Sequence, residues 1–94
     1  MADTAPNILF VMADQLAAPA LPIYGKSNVI APNLQRLGQE GVVFENCYCN
    51  YPICGPSRAS MHTGKRAFDI GMYDNASEFQ GSIPTFAHYL RQLG

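Results

Sequence analysis

The chain has 94 residues, 48% apolar and 14% charged, with a net charge of −1 and a pI near 6.0. That length is below the usual size of one domain and holds at most one modest core, and the near-neutral balance excludes a disordered acidic tail and a basic nucleic-acid binder. The longest apolar stretch, Ile8 to Ala13, is too short to span a bilayer, and Asp3 stands where a secretory signal carries Lys or Arg, so no membrane partner and a cytoplasmic address are expected.

In chain order, Asn7 to Met12 is a compact β-rich apolar run without polar alternation, the pattern of a strand buried on both faces of a largely parallel sheet. Asp14 follows just past its carboxyl end, where ligands bind in open α/β sheets, which makes it a candidate site residue. Pro19, Pro22, Gly25 and Asn28 break any periodicity, so residues 15–30 read as a long irregular loop. Pro32 as a first-turn residue, Leu34 and Leu37 on one side and Gly41 as a stop predict a helix from Pro32 to Glu40. Val42 to Phe44 is expected as a second strand, and helices are expected over 56–63 and 85–93, the latter with Phe86, Tyr89, Leu90 and Leu93 at helical spacing.

This order indicates the α/β class. A doubly wound sheet needs several crossover units of roughly 30 residues or more, and the chain supplies about one and a half of them. The expectation is therefore a fragment, residues 1–94, whose apolar faces are covered by a downstream segment and which is poorly stable alone. Cys47, Cys49 and Cys54 cannot all pair, and three thiols within eight residues make a poor disulfide framework, so at least one is left for chemistry.

The most informative stretch is Cys54-Gly55-Pro56-Ser57-Arg58-Ala59-Ser60-Met61-His62-Thr63-Gly64-Lys65. It resembles the signature of the type I, formylglycine-dependent sulfatases: Cys-x-Pro-Ser-Arg, then Thr-Gly and a basic residue at the family's spacing. His62 departs from the Leu or Met usual there. The resemblance implies the N-terminal part of an alkaline-phosphatase-like fold, a mostly parallel central sheet flanked by helices. It implies a sulfuric ester hydrolase in which a separate maturation enzyme oxidises Cys54 to formylglycine. The hydrated aldehyde, bound to a divalent cation, then attacks sulfur and displaces the alcohol, and its remaining hydroxyl expels sulfate. Oxygen ligands suit a hard cation, Ca2+ first, with Mg2+ or Mn2+ as alternatives.

The residues support this independently. With Pro56 at a first helical position, Cys54 lies just before a helix N-terminus, where amides and macrodipole favour an anion. Arg58, one turn on, offers a planar guanidinium for two sulfate oxygens or a metal-bound oxyanion. The catalytic candidates are thus Cys54 and Arg58, and the metal ligands Asp14 and Cys54. The Asp14-Gln15 pair, where many sulfatases carry two aspartates, resembles the choline-sulfatase branch and is shared by phosphonate monoester hydrolases. Two further stretches also resemble that branch, Met12 to Leu21 and Tyr73 to Phe79 followed by Ser82 to Arg91. The substrate implied is a small sulfate ester, choline sulfate foremost. The full-length enzyme is expected to be a homo-oligomer, its other metal ligands and catalytic Lys and His residues lying beyond Gly94.

Each assignment has a plainer alternative. Cys54 could be a buried small hydrophobe, Asp14 a turn cap and Arg58 a surface ion-pair partner. Asn75 could donate its amide to a sulfate oxygen and is carried as a substrate-binding candidate, with a turn role as the alternative. Cys47 and Cys49 are expected to alternate along a strand and pack, in preference to a zinc site with Cys54 and His62. Lys65 reads as a favourable cation near its helix end, and His62 and His88 as packed or half-exposed histidines. Packing is favoured for Tyr48, Tyr51 and Tyr73 over a cation–π pocket for a quaternary ammonium. In a different class, the 94-residue chain acts only as an inactive segment that complements a partner.

Overall fold

The structure is a computed structural model that describes residues 6–25 and 27–94, so Asp3 and residue 26 lie outside the described residues. It divides into two units, Met1–Glu45 and Asn46–Gly94.

In the first unit, the predicted loop is ordered by two short 3-10 turns, Ala18–Ala20 and Pro22–Tyr24, each led by a backbone that a proline constrains at N1 or N2. Ser27 Oγ donates to the Ala20 carbonyl at 2.7 Å and accepts from Val29 N–H at 3.1 Å, tying the end of this segment back to its start. Helix α1, Pro32–Glu40, begins on its proline and stops before Gly41, as its local code dictates. It packs on the second 3-10 turn through Gly38, where a β-carbon would overlap the Ile23 side chain and come within 3.1 Å of Val43 Cγ2. A shallow apolar cleft of about 340 Å³ between these elements is lined by Leu21, Ile23, Leu34, Leu37 and Val42 among others.

The second unit is built on α2, Cys54–Thr63, followed by a 3-10 turn, Ala67–Ile70, and α3, Phe86–Leu93. Its small core is Ala59, Ala67, Ile70 and Met72, with Tyr51 and Ile83 packed against it. Burying a side chain the size of Ile70 or Met72 contributes about 1.5–3 kcal/mol each. Asn50 joins two elements: its Oδ1 accepts from the buried Ser60 hydroxyl at 3.1 Å and from Ala67 N–H at 3.3 Å. His62 stacks on Phe86 at 5.0 Å between ring centroids and 10° between planes, holding α3 to α2. In α3 the His88 ring accepts Thr85 N–H at 3.0 Å, part of a capping box with a histidine in the place of the usual Glu or Gln.

Three expectations are corrected. No strand forms among the described residues, neither at 7–12 nor at 42–44. A strand needs a neighbour to take its N–H and C=O groups, and the described residues offer none, so Leu9 is 88% and Val11 80% exposed. Cys47 and Cys49 consequently lie on no strand and are exposed rather than packed. Helix α2 begins at Cys54, two residues earlier than predicted, which makes Pro56 the third helical residue; its missing N–H is harmless in a first turn. The sequence reading also missed the 3-10 turn Ala67–Ile70.

Candidate active site

Asp14 belongs to the first unit and stands in a bend. The next residue, Gln15, has φ +50°, the one positive value outside glycine among the described residues. Such a left-handed backbone is uncommon for a side chain of this size. It turns the chain sharply straight after Asp14.

Cys54, Arg58 and Asn75 belong to the second unit. Cys54 is the first residue of α2 and is exposed and unbridged, as are Cys47 and Cys49. The helix is preceded by Ile53, whose apolar side chain cannot cap it. Asn75 does so from a turn 20 residues on. Its Oδ1 accepts Gly55 N–H at 2.8 Å and the Cys54 Sγ–H at 3.3 Å. The structure therefore brings two of the predicted site residues into direct contact, and part of the helix end expected to meet an anion is already engaged by an amide oxygen. Arg58 follows one turn later on the same helix face and is exposed.

The turn that presents Asn75 is internally bonded. Ser77 Oγ accepts Tyr73 N–H at 3.1 Å and Asp74 N–H at 3.2 Å, and donates to Asp74 Oδ1 at 2.9 Å, which also accepts Ala76 N–H at 2.9 Å. The Ser77 hydroxyl foremost, against desolvation and with help from the Ala76 and Ser77 amides, holds the Asp74 carboxyl below its ordinary range. Tyr51 donates its hydroxyl to the Tyr73 carbonyl at 2.9 Å and sets its ring edge-on to Phe68 at 5.6 Å, so Tyr51 packs as expected, whereas Tyr48 is exposed.

The other end of α2 explains the Thr-Gly-Lys part of the motif structurally. Thr63 Oγ1 donates to the Ala59 carbonyl at 2.7 Å and accepts Lys65 N–H at 3.2 Å, while Gly64 takes a left-handed conformation, φ +69°, and donates to Ser60 O at 2.8 Å. Lys65 lies just past this stop. Asn50 is the organising residue that sequence reasoning missed, and no local pattern marks it. Among the described residues no group of three or more His, Cys, Asp and Glu side chains could hold a metal ion. Asp14 and position 54 alone thus fall short of the six to eight oxygens a calcium ion takes.

The sulfatase family model matches residues 6–94, 89 of the 94 residues. The chain belongs to the sulfatase family. Among its relatives is the choline-sulfatase of Rhizobium meliloti strain 1021, 44% identical over 89 residues, covering 95% of this chain and 17% of the relative. The N-acetylglucosamine-6-O-sulfatase of Bacteroides thetaiotaomicron is 43% identical over 95% of this chain and 16% of its own length. The N-acetylgalactosamine-6-sulfatase of Sus scrofa is 36% identical over 94% and 19%. This sulfatase chain thus spans less than a fifth of the length of the curated relatives it matches. No solved structure matches it. No helix of the described residues is long and apolar enough to cross a membrane.

Proposed function

We propose that this chain is the nucleophile-bearing N-terminal part of a cytoplasmic sulfuric ester hydrolase with an alkaline-phosphatase-like sheet, acting on a small sulfate ester, choline sulfate foremost. The observation that carries this is Cys54 at the head of α2 with Arg58 one turn behind it, inside the complete Cys-x-Pro-Ser-Arg…Thr-Gly-Lys signature. Choline sulfate is favoured by the Asp14-Gln15 pair and the Tyr73 to Phe79 stretch, in keeping with the 44% identity to a choline-sulfatase.

In this reading Cys54 is matured to formylglycine by a separate enzyme, and the hydrated aldehyde supplies both the attacking oxygen and the means of releasing sulfate from it. Arg58 spreads its charge over two sulfate oxygens, which already share the ester's negative charge, while the electron pair of the breaking S–O bond leaves on the alcohol oxygen, protonated from outside the described residues. The positive end of α2 adds to this at position 54. Asp14 would give one hard oxygen to a divalent cation, Ca2+ ahead of Mg2+ or Mn2+, which needs ligands beyond those described here. The complete enzyme is a homo-oligomer in the same reading.

The shared Asp-Gln pair favours one second reading, a phosphonate or phosphate monoester hydrolase. A substrate panel on the complete, matured enzyme separates them. Turnover of choline sulfate above 6-O-sulfated N-acetylglucosamine and above phosphonate monoesters is expected; intact sulfate esters beside hydrolysed phosphonates would overturn the sulfatase assignment. Peptide mass at position 54 should show an aldehyde in active preparations and a thiol in inactive ones.

A further inference from the structure

The sulfatase reading names position 54 as the nucleophile; how that residue is held is a separate question, and it rests on that reading. A side chain that must strike sulfur needs one rotamer, and an exposed first helical residue has no packing to impose it. The residue before it, Ile53, offers no capping oxygen. A single atom, Asn75 Oδ1, meets both needs by accepting from the Gly55 backbone at 2.8 Å and from the Cys54 side chain at 3.3 Å. The oxygen is itself held in place. Asp74 and Ser77 lock the turn on either side of Asn75, and Tyr51 anchors its first residue, Tyr73.

Gly55 is the other half of the contact. A β-carbon there would lie 2.8 Å from Asn75 Oδ1, below any ordinary carbon–oxygen contact, and 3.5 Å from both Asn75 Cα and the Asp74 carbonyl oxygen. Only an unsubstituted residue lets the amide oxygen reach the helix end without displacement. We propose that Asn75 is a positioning residue for the nucleophile: through Oδ1 it caps α2 and fixes the side chain of residue 54, and Gly55 admits it. The hydrated aldehyde carries hydroxyls that can donate as the thiol does, so the proposal extends the contact to the matured residue.

The test uses the complete enzyme, with rates expressed per aldehyde found at position 54 by peptide mass. Asn75→Ala should lower kcat at least about tenfold with KM within about threefold, the mark of a lost alignment and not of lost binding. Asn75→Asp keeps an acceptor oxygen at the helix end and loses the amide N–H groups; it should recover the melting temperature lost in Asn75→Ala, which a role confined to substrate would not do. A raised KM in Asn75→Ala with kcat and melting temperature unchanged would show the amide nitrogen holding the sulfate and overturn the proposal. A second arm reads no turnover. Gly55→Ala should lower the melting temperature when Asn75 is present and leave it level or raise it in the Asn75→Ala background, because alanine is the better helix former once the oxygen is gone. Additive shifts would overturn the Gly55–Asn75 contact. An aldehyde-bearing parent enzyme that leaves sulfate esters intact would instead sink the sulfatase reading.

Discussion

Cys54 and Arg58 are asked to act within one helical turn, and each fails in its own way when replaced. Cys54→Ala removes the thiol that maturation must oxidise to turn the β-carbon into the aldehyde, so hydrolysis by the complete enzyme should fall at least about 10³-fold. Arg58→Lys keeps the charge but loses the planar fork, and kcat should drop about 10²-fold with a lesser change in KM; steady-state kinetics check both, per mole of protein for Cys54→Ala and per aldehyde for Arg58→Lys. Asp74 sets a pH dependence. Its folded pKa is depressed by the Ser77 hydroxyl and the turn amides, so the stability it contributes is fully present above its unfolded value of about 3.9 and is lost as pH falls through the lower folded value. Asp69, depressed chiefly by its bidentate pairing with Arg66 at 2.9 and 3.0 Å, acts in the same direction. Melting curves taken downward from about pH 5 should therefore fall more steeply in the parent than in Asp74→Asn. At this scale the spacing of Cys54 and Arg58 was legible as a family signature, because it lies within one helical turn. The role of Asn75 toward Gly55 was not, because a hydrogen bond between residues 20 apart leaves no local pattern.

At the level of elements, α1 was readable end to end because both of its ends are coded locally, by Pro32 and Gly41. Helix α2 was readable at its end, where Gly64 takes φ +69°, and misread at its start, where the cap comes from elsewhere in the chain. Two glycines test these accounts. Gly38→Ala would push a methyl into Ile23, and overpacking of this kind should cost about 1–3 kcal/mol, less about 1 kcal/mol of helix propensity regained. Gly64→Ala meets open space and is strained only by its backbone, so it should cost about 1–2 kcal/mol; denaturant midpoints measure both. The His62–Phe86 stack joins α2 to α3; His62→Leu, which installs one of the usual residues of the signature, loses the stack but should keep apolar contact with Phe86 and so leave the melting temperature little changed.

On the scale of the whole molecule, the buried core of the described residues is four side chains, whereas Ile8, Leu9, Val11, Ile30 and Val42 are each at least 79% exposed. So many exposed apolar side chains call for a cover, which in the proposed enzyme further chain supplies. The 94-residue chain by itself should accordingly bind a hydrophobic dye more strongly than the complete enzyme and give no turnover even with position 54 matured and a divalent cation supplied; measurable hydrolysis by the chain alone would refute this. What the amino-acid order settled by itself was the family and the helices whose stops are written in neighbouring residues, because capping, periodicity and a signature motif are properties of a few adjacent side chains. Tertiary structure alone decided that an asparagine oxygen caps the start of α2, that Asn50 ties Ser60 to Ala67, and that the apolar runs at 7–12 and 42–44 form no strand. Those outcomes depend on which distant groups arrive to accept a hydrogen bond or pair a backbone, and no window of sequence contains both partners.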